Sequence, residues 1–547
     1  MRDEPNQTSS DGKRRSLESL AEEVKAPAAG RSLLRAAGLV SGLTLLSRLL
    51  GLVREQVFAA LLGAGREADA FQIAFRIPNL LRDLFAEGAL SAAFVPTYAA
   101  ALLRGRVEAQ RLASRVFSVL AVIVTGIVLL GFLGAGEIVA ALAPGYGQIP
   151  GKTDLTVLLT RVMLPFLLLV VLAAVAMGML NAAERFAAPA LAPAIFNVVA
   201  IVVGIGLWLA KRPPEQAVLG WAVATLLGGL AQFLIQAPSL RALGYRFSWD
   251  WAPTDPGIRR IAALMAPATI GLAAVQLNIF ISSRFASDEP GAVSWLSYAF
   301  RILYLPIGIF GVALGTLATV GLAKSAASGD LAGLRATLLR SIRLLLFLSI
   351  PSTAGLLALG VPVVRLLYER GRFSAADTAS TAAAVSFYAV GLVAYTGVKI
   401  LAPAFYALGT PRVPLLGSVL AIATNLIVIT CLDGTLGYRA VALGTSLGSL
   451  ANAACLGFVL QRRIGGLGGA SLWLDVCRMT LAALAMAVAA WAAARGLESI
   501  FGTAGVVAQL VTALVPVVTG VIAYAGAARL LRIRELDEML QAASRKA

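Results

Sequence analysis

Four arginines stand where helices should be sealed in hydrocarbon: Arg48 and Arg54 in one apolar stretch, Arg76 and Arg82 in the next. A fifth, Arg301, lies in another such stretch much further along the chain. Asp69, Asn79, Asp83 and Glu87 accompany the second pair. A charged side chain at the bilayer centre costs at least ~2.5–3.5 kcal/mol, so this group has to face protein or a water-filled cavity. On a helix advancing ~100° per residue, Arg76, Asn79, Asp83 and Glu87 fall within about 80° of one another, with Arg82 to the side. Pro78 sits inside that stripe and is expected to bend the helix. Asp69 and Glu87 are as well suited to locking helices together as to gating a cavity, and Arg54, nearer a helix end, could snorkel. Neither reading absorbs the whole set. The five arginines outnumber the acids Asp69, Asp83 and Glu87, with Glu55 read as lying at a turn. A planar guanidinium fork matches diphosphate and carboxylate, so a cavity binding an anion is the sharper expectation. Lys399 adds an isolated cation in a later stretch, suited equally to packing and to a substrate or coupling role.

The elements that must carry these side chains are long apolar helices. The chain has 547 residues, of which 59% are hydrophobic and 14% charged, with a mean hydropathy of +0.82. A soluble chain of this length would need far more charge. Apolar runs recur from Leu33 to Leu531, each long enough at 1.5 Å per residue to cross a core about 30 Å thick. Strand alternation is absent, so the expected class is an all-α polytopic membrane protein of about 14 spans. The first covers 33–62, the second 69–101, the seventh 259–284, the eighth 292–323 and the last two 473–495 and 504–531.

The net charge of +17 follows topology. The even-numbered connections carry Arg104, Arg106 and Arg111, then Arg185, Arg241 with Arg246, Lys324 with Arg335, Arg412, and Arg462 with Arg463. The odd-numbered ones are short or balanced, such as Arg66 with Glu67, Lys152 with Asp154, Arg284 with Asp288 and Glu289, and Arg495 with Glu498, the stretch from Arg365 to Arg372 excepted. The bias places both termini and the even loops in the cytoplasm, and the basic loops suit anionic headgroups. Nucleic acid is not expected as a partner, because no basic soluble domain with exposed aromatics is present.

An internal repeat is legible. Ala74-Phe75-Arg76-Ile77 recurs as Ala299-Phe300-Arg301-Ile302, 225 residues on, and Phe85 with Phe310 and Pro189 with Pro414 share that offset. An even number of spans per unit makes the copies parallel, with a substrate site expected between them. The organisation expected is a disordered cytoplasmic tail (1–32), a first lobe of six helices (33–240), a second (241–461), and a C-terminal helix pair with a tail (462–547).

No enzyme chemistry is expected. The chain has no His, which removes Ser–His and Cys–His nucleophiles. It has no GxxxxGK[ST] phosphate loop, and neither a cofactor nor a metal is called for. Cys431, Cys455 and Cys477 are widely spaced and read as small buried hydrophobes. The absence of Asp and Glu from Ile261–Ser282 and Arg412–Leu432 disfavours a cation antiporter, which usually holds its ion on an intramembrane carboxylate.

The run Ser47-Arg48-Leu-Leu-Gly51-Leu-Val-Arg54-Glu55, followed by Gly63-Ala-Gly65, Ala68-Asp69-Ala70-Phe71, Phe75-Arg76-Ile77-Pro78-Asn79-Leu80-Leu81-Arg82, Phe85-Ala86-Glu87-Gly88-Ala89 and Ala93-Phe94-Val95-Pro96, resembles the signature of the MurJ (MviN) family. These are bacterial lipid II flippases of the multidrug/oligosaccharidyl-lipid/polysaccharide exporter superfamily. Pro306–Leu314, Gly371-Arg372-Phe373 and Lys399–Tyr406 fit as well. The resemblance implies a two-lobed, twelve-helix core around a central cavity, plus two C-terminal helices forming a groove for the lipid tail. It implies that Arg48, Arg54, Arg82 and Arg301 bind the diphosphate and acids of lipid II, with Arg76 and Asn79 as weaker candidates and Asp69, Glu87 and Lys399 as ion-pair or gating residues. The implied partners are lipid II, membrane lipids and other cell-wall synthesis proteins, in the bacterial inner membrane. Two departures stand out. Asp83 occupies a place where members commonly carry a second arginine, and Asn425 is followed by Ile429 where a sodium-binding arrangement needs an acid. With those carboxylates missing, membrane potential is the expected driving force. A flippase for another undecaprenyl-linked glycan would use the same arginines. A cation-coupled drug exporter on the same fold would want cavity carboxylates, and a scaffold for envelope assembly would tolerate loss of the arginines.

Overall fold

The computed structural model describes residues 27–85, 89–466 and 469–544. The described chain is a run of helices: α1 (Pro27–Leu62), α2 (Arg66–Phe85), α3 (Ala89–Arg104), α4 (Arg106–Leu133), α5 (Ala135–Leu142), α6 (Lys152–Met163), α7 (Pro165–Ala182), α8 (Ala187–Leu209), α9 (Pro214–Leu234), α10 (Ala237–Ala242), α11 (Pro256–Ala286), α12 (Ala292–Pro306), α13 (Val312–Ala327), α14 (Leu331–Tyr368), α15 (Ala375–Ala389), α16 (Leu392–Ala407), α17 (Arg412–Leu436), α18 (Tyr438–Arg463), α19 (Gly469–Phe501), α20 (Val506–Leu530) and α21 (Arg534–Ser544). Among the described residues, ten helices, or eleven counting the bent pair α15–α16, are long and apolar enough to cross a membrane. Expected spans one, two and seven correspond to α1, to α2 with α3, and to α11. The expected tail up to residue 26 lies outside the described residues, and α1 already begins at Pro27 rather than at Leu33.

Local chemistry explains several boundaries. Asp255 precedes Pro256 and accepts from the Gly257 and Ile258 amides, which starts α11. Ser374 and Asp377 form a reciprocal capping box that starts α15. Many hydroxyls within spans return to their own helix, as Thr156 does to the Lys152 carbonyl at 2.7 Å and Thr225 to that of Trp221 at 3.0 Å, which satisfies them without water. α2 continues through Pro78. A π-helical turn, Ile307–Gly311, separates α12 from α13 directly after Pro306.

The outer coat is apolar: Leu103, Val320 and Leu530 are 91%, 69% and 85% exposed. Such a surface is stable against lipid rather than water. Cys431 and Cys477 lie on this exposed face, and all three cysteines are free thiols. The expectation of burial is corrected for Cys431 and Cys477, which a lipid surface can shield from water, while Cys455 is half-buried.

The buried core is divided unevenly. One cluster joins the two repeats at the end carrying Gly63, Gly291 and Gly371, with Phe58, Phe71, Tyr146, Trp221, Tyr298, Tyr368 and Phe373 among its members. At the opposite, Arg-rich end there are two separate clusters. One is built on α3, α4, α7 and the start of α11, the other on α13, α14, α16 and α18. The helices thus converge at one end and part at the other, and α11 crosses from the first repeat to the second, packing on both α3 and α17.

Candidate functional site

At the convergent end the repeats are bolted together by one carboxylate. Asp69, with no exposure, belongs to α2. Its Oδ2 accepts from Lys152 Nζ at 2.8 Å and from the Gly291 amide at 2.8 Å. Its Oδ1 accepts from the Ser294 amide at 2.9 Å and the Ser294 hydroxyl at 2.7 Å. Gly291 and Ser294 form the first turn of α12, so a residue of one repeat caps the N-terminus of a helix in the other. Four donors and the positive helix end satisfy a charge that would otherwise be ruinous there. Lys152 is equally buried and lies 4.0 Å above the Tyr146 ring centre. Burial, reinforced by Asp69, pushes the Tyr146 phenol well above its usual range, and it donates to the Asp69 backbone carbonyl at 3.1 Å. Tyr298 donates to the Gly63 carbonyl at 2.8 Å.

Two glycines finish this seam. Gly63 has φ +66°, and a Cβ there would stand 2.6 Å from the Arg372 carbonyl oxygen. Gly371 has φ +62°, and a Cβ there would stand 2.2 Å from the carbonyl oxygen of Ala60. The approach lets the Arg372 amide donate to the Ala60 carbonyl at 2.9 Å, a backbone bond between the repeats.

Deeper along the same interface, the arginines meet. Arg54 and Arg301 sit at similar depths, each about 13–15 Å of helix rise from Gly63 and Gly291 at the seam. Glu55 Oε1 lies between them, 2.6 Å from Arg54 Nη2 and 3.1 Å from Arg301 Nη2. Arg54 also lies 5.3 Å from the Phe196 ring centre, and Arg82 and Arg301 both act on it as like charges. Arg48 reaches the π-helical turn, its Nη1 being 3.1 Å from where a Cβ of Gly308 would be. Behind Arg54 and Glu55 the crevice is only ≈ 20 Å³. Away from that crevice Arg48 is exposed and the Arg301 side chain is 45% exposed.

The expected residues divide accordingly. Arg54, Arg82 and Arg301 share one field, and Arg48 faces the same interface. Arg76 instead donates to the Ser283 hydroxyl of α11, with Tyr388, Tyr146 and Asp69 rather than the other arginines in its electrostatic surroundings. Asn79 is half-buried on α2, and Lys399 is exposed on α16. Glu87 lies outside the described residues, and so does the side chain of Asp83. Asn425 is fully buried and donates to Asn278 Oδ1 at 2.7 Å, with Ile429 buried beside it. Among the described residues no group of three or more His, Cys, Asp or Glu is placed to hold a metal.

One expectation is corrected. Glu55 is not at a turn but within α1, 5% exposed, because the apolar run continues to Leu62; reading that run to its end would have exposed Glu55 as a buried charge. Charge balance along a connection also left the ion-pair partners open: Lys152 finds Asp69, and Glu498 takes Arg365 at 2.6 Å. Ser294 was also missed, although it stands 225 residues from Asp69, the same interval that relates Arg76 to Arg301.

A polytopic helical bundle with charge-bearing helices meeting between two repeats defines a membrane transporter. The family model "Lipid II flippase MurJ" matches residues 58–517. A Vibrio cholerae protein, "Probable lipid II flippase MurJ", is 35% identical over 435 residues, 78% of this chain and 82% of its own. "Lipid II flippase MurJ" of Burkholderia cenocepacia is 35% identical over 449 residues, covering 79% and 84%. The chain belongs to the MurJ lipid II flippase family. In fold it resembles the solved structure "Lipid II flippase MurJ, inward closed conformation", with TM-score 0.73 and 24% identity over 90% of this chain and 99% of that one. It also resembles an inward-facing transporter of the multidrug resistance MATE family, with TM-score 0.64 and 18% identity over 80% and 99%.

Proposed function

We propose that this protein moves lipid II from the cytoplasmic to the outer leaflet of the bacterial inner membrane by alternating access. The observation that carries the reading is the Arg54–Glu55–Arg301 bridge, which sets a cationic surplus at the interface of two repeats below a sealed end. The basic even loops put both termini in the cytoplasm, so the parted end faces the cytoplasm and the sealed end faces out. Residues 33–240 and 241–461 act as lobes, and 462–547 as an appended helix pair with a tail. Arg48, Arg54, Arg82 and Arg301 receive the diphosphate and the carboxylates of the headgroup, while the polyprenyl tail stays in lipid. An arriving diphosphate competes with Glu55 for Arg301. That exchange loosens a contact between the lobes and couples binding to rocking. Asp69 and Lys152 hold the outer seal, Arg76 stays on α11 as a packing contact, and cell-wall synthesis proteins supply and remove the cargo. The buried Asn278–Asn425 pair offers no carboxylate for sodium, and the membrane potential drives the cycle.

The test is translocation of labelled lipid II in cells depleted of their own flippase, comparing wild type with Arg48→Ala, Arg82→Ala and Arg301→Ala. Wild type restores transport, and each variant loses most of it. Full activity in all three refutes the arginine site. Failure of the wild type, with transport of another undecaprenyl-linked glycan in parallel cells, refutes the substrate.

A further inference from the structure

A chamber opens in the first repeat, lined by none of the arginines of the repeat interface. It has a volume of ≈ 690 Å³ and lies between α4, α7, α9 and the segment that links the repeats. Phe117, Leu172 and Phe233 wall it with apolar surface, and Arg241 and Arg246 stand at its rim. The same linker shows how an arginine looks when it is satisfied: Arg115 reaches Asp250 at 2.8 Å and also binds Asp255. Arg241 and Arg246 have no such acid among the described residues. Beyond them Phe247, Trp249 and Trp251 are 56%, 62% and 48% exposed, an aromatic row of the kind that settles at the headgroup level of a bilayer.

The geometry points to a binding site for one anionic glycerophospholipid, its phosphate on Arg241 and Arg246 and an acyl chain in the chamber. The inference rests on the proposed function only for the leaflet, the cytoplasmic one, where anionic lipids attract basic loops. A soluble phosphate would gain nothing from the apolar walls, and a zwitterionic lipid would leave the two guanidinium groups without a net counter-charge. The site touches the hinge of the transporter. The linker is pinned to α4 by the Asp250 amide on the Ser118 hydroxyl at 3.0 Å and by Gln110 on the Gly244 carbonyl at 2.8 Å. It then leads directly into α11, which crosses between the repeats. A lipid under the linker sets the stiffness of that connection.

The full-length protein, purified and exchanged into detergent, is incubated with phosphatidylglycerol or phosphatidylcholine, and retained lipid is read by native mass spectrometry. Wild type retains one phosphatidylglycerol about tenfold more strongly than phosphatidylcholine. Arg241→Gln with Arg246→Gln abolishes the preference, Arg241→Lys with Arg246→Lys keeps it, and Ala121→Phe, which fills the chamber, lowers retention of both lipids. Equal retention of the two lipids by wild type overturns the inference, as does an unchanged preference in the double glutamine variant. Glycerol 3-phosphate displacing the lipid as well as dioctanoyl phosphatidylglycerol does would also overturn it, since the occupant would then be a free phosphate. No lipid II is used, so failure here leaves the transport reading standing, and failure of transport leaves this result standing.

Discussion

The two charged centres on the interface between the repeats treat their ions in opposite ways. At the seam, Asp69 is matched donor for donor by Lys152, Gly291 and Ser294, with no exposure on either ion. About two helical turns deeper, Glu55 must serve Arg54 and Arg301 together, with Arg82 adding to the repulsion. The first centre is saturated and has nothing left to offer a ligand. The second is short of negative charge, and an anion with several oxygens would complete it. A buried pair with every lone pair used resists change, whereas an undercompensated one is poised to exchange partners. On the proposed function, the contrast gives holding to the seam and binding to the arginines.

Breaking the saturated centre should have the largest effect. Lys152→Met leaves the Asp69 carboxylate buried without its cation, a loss of about 3–5 kcal/mol for a broken buried pair. Ala64→Cys, placed in a background with the three native cysteines changed to serine, should then become reactive to a membrane-impermeant thiol reagent from outside. Unchanged labelling would mean that the seam does not depend on this pair. At the deficient centre, Arg301→Ala should lower lipid II affinity about 10- to 100-fold, the scale of a lost charge-assisted hydrogen bond. Glu55→Gln should move it the other way, raising affinity while slowing turnover, which a binding isotherm and a transport rate would separate. Tyr298→Phe removes one neutral hydrogen bond at the seam, about 1 kcal/mol, visible as a small drop in Tm with transport retained.

The smallest effect concerns pH. Burial, with Asp433 nearby and Arg284 opposing, raises the carboxyl pKa of Asp288. A carboxyl raised in the closed form binds its proton more tightly there than when the seam is open. Acid therefore favours closure, and the contribution fades as pH rises through the raised value. Because Asp288 is exposed, the shift in Ala64→Cys labelling across that range should be slight, and Asp288→Asn should remove it.

The helices and the arginines were legible because hydrocarbon imposes a simple rule: long apolar runs span, and charges inside them need a reason. The repeat was legible because Arg76 and Arg301 keep their neighbours. What escaped was pairing between distant segments. Lys152 and Asp69 are 83 residues apart, and nothing in the run around Lys152 distinguishes a loop cation from a buried one, since Asp154 offers a partner close in sequence. Arg76 was grouped with the other arginines by its position on a helical stripe. Its bond to Ser283 depends on where α11 crosses, which no local pattern encodes.

Gly63 and Gly371 close the seam with main chain alone, and this makes the closure unusually brittle to addition. Most interfaces are weakened by taking atoms away, and this one would be jammed by a single methyl group. Alanine at either position would act as a wedge driven between two strands of backbone. It would prop the outer door ajar without touching a charge or the cargo site. Such a wedged transporter would be starved at its loading step rather than at its binding step, and would collect in the half of its cycle that faces away from the cytoplasm.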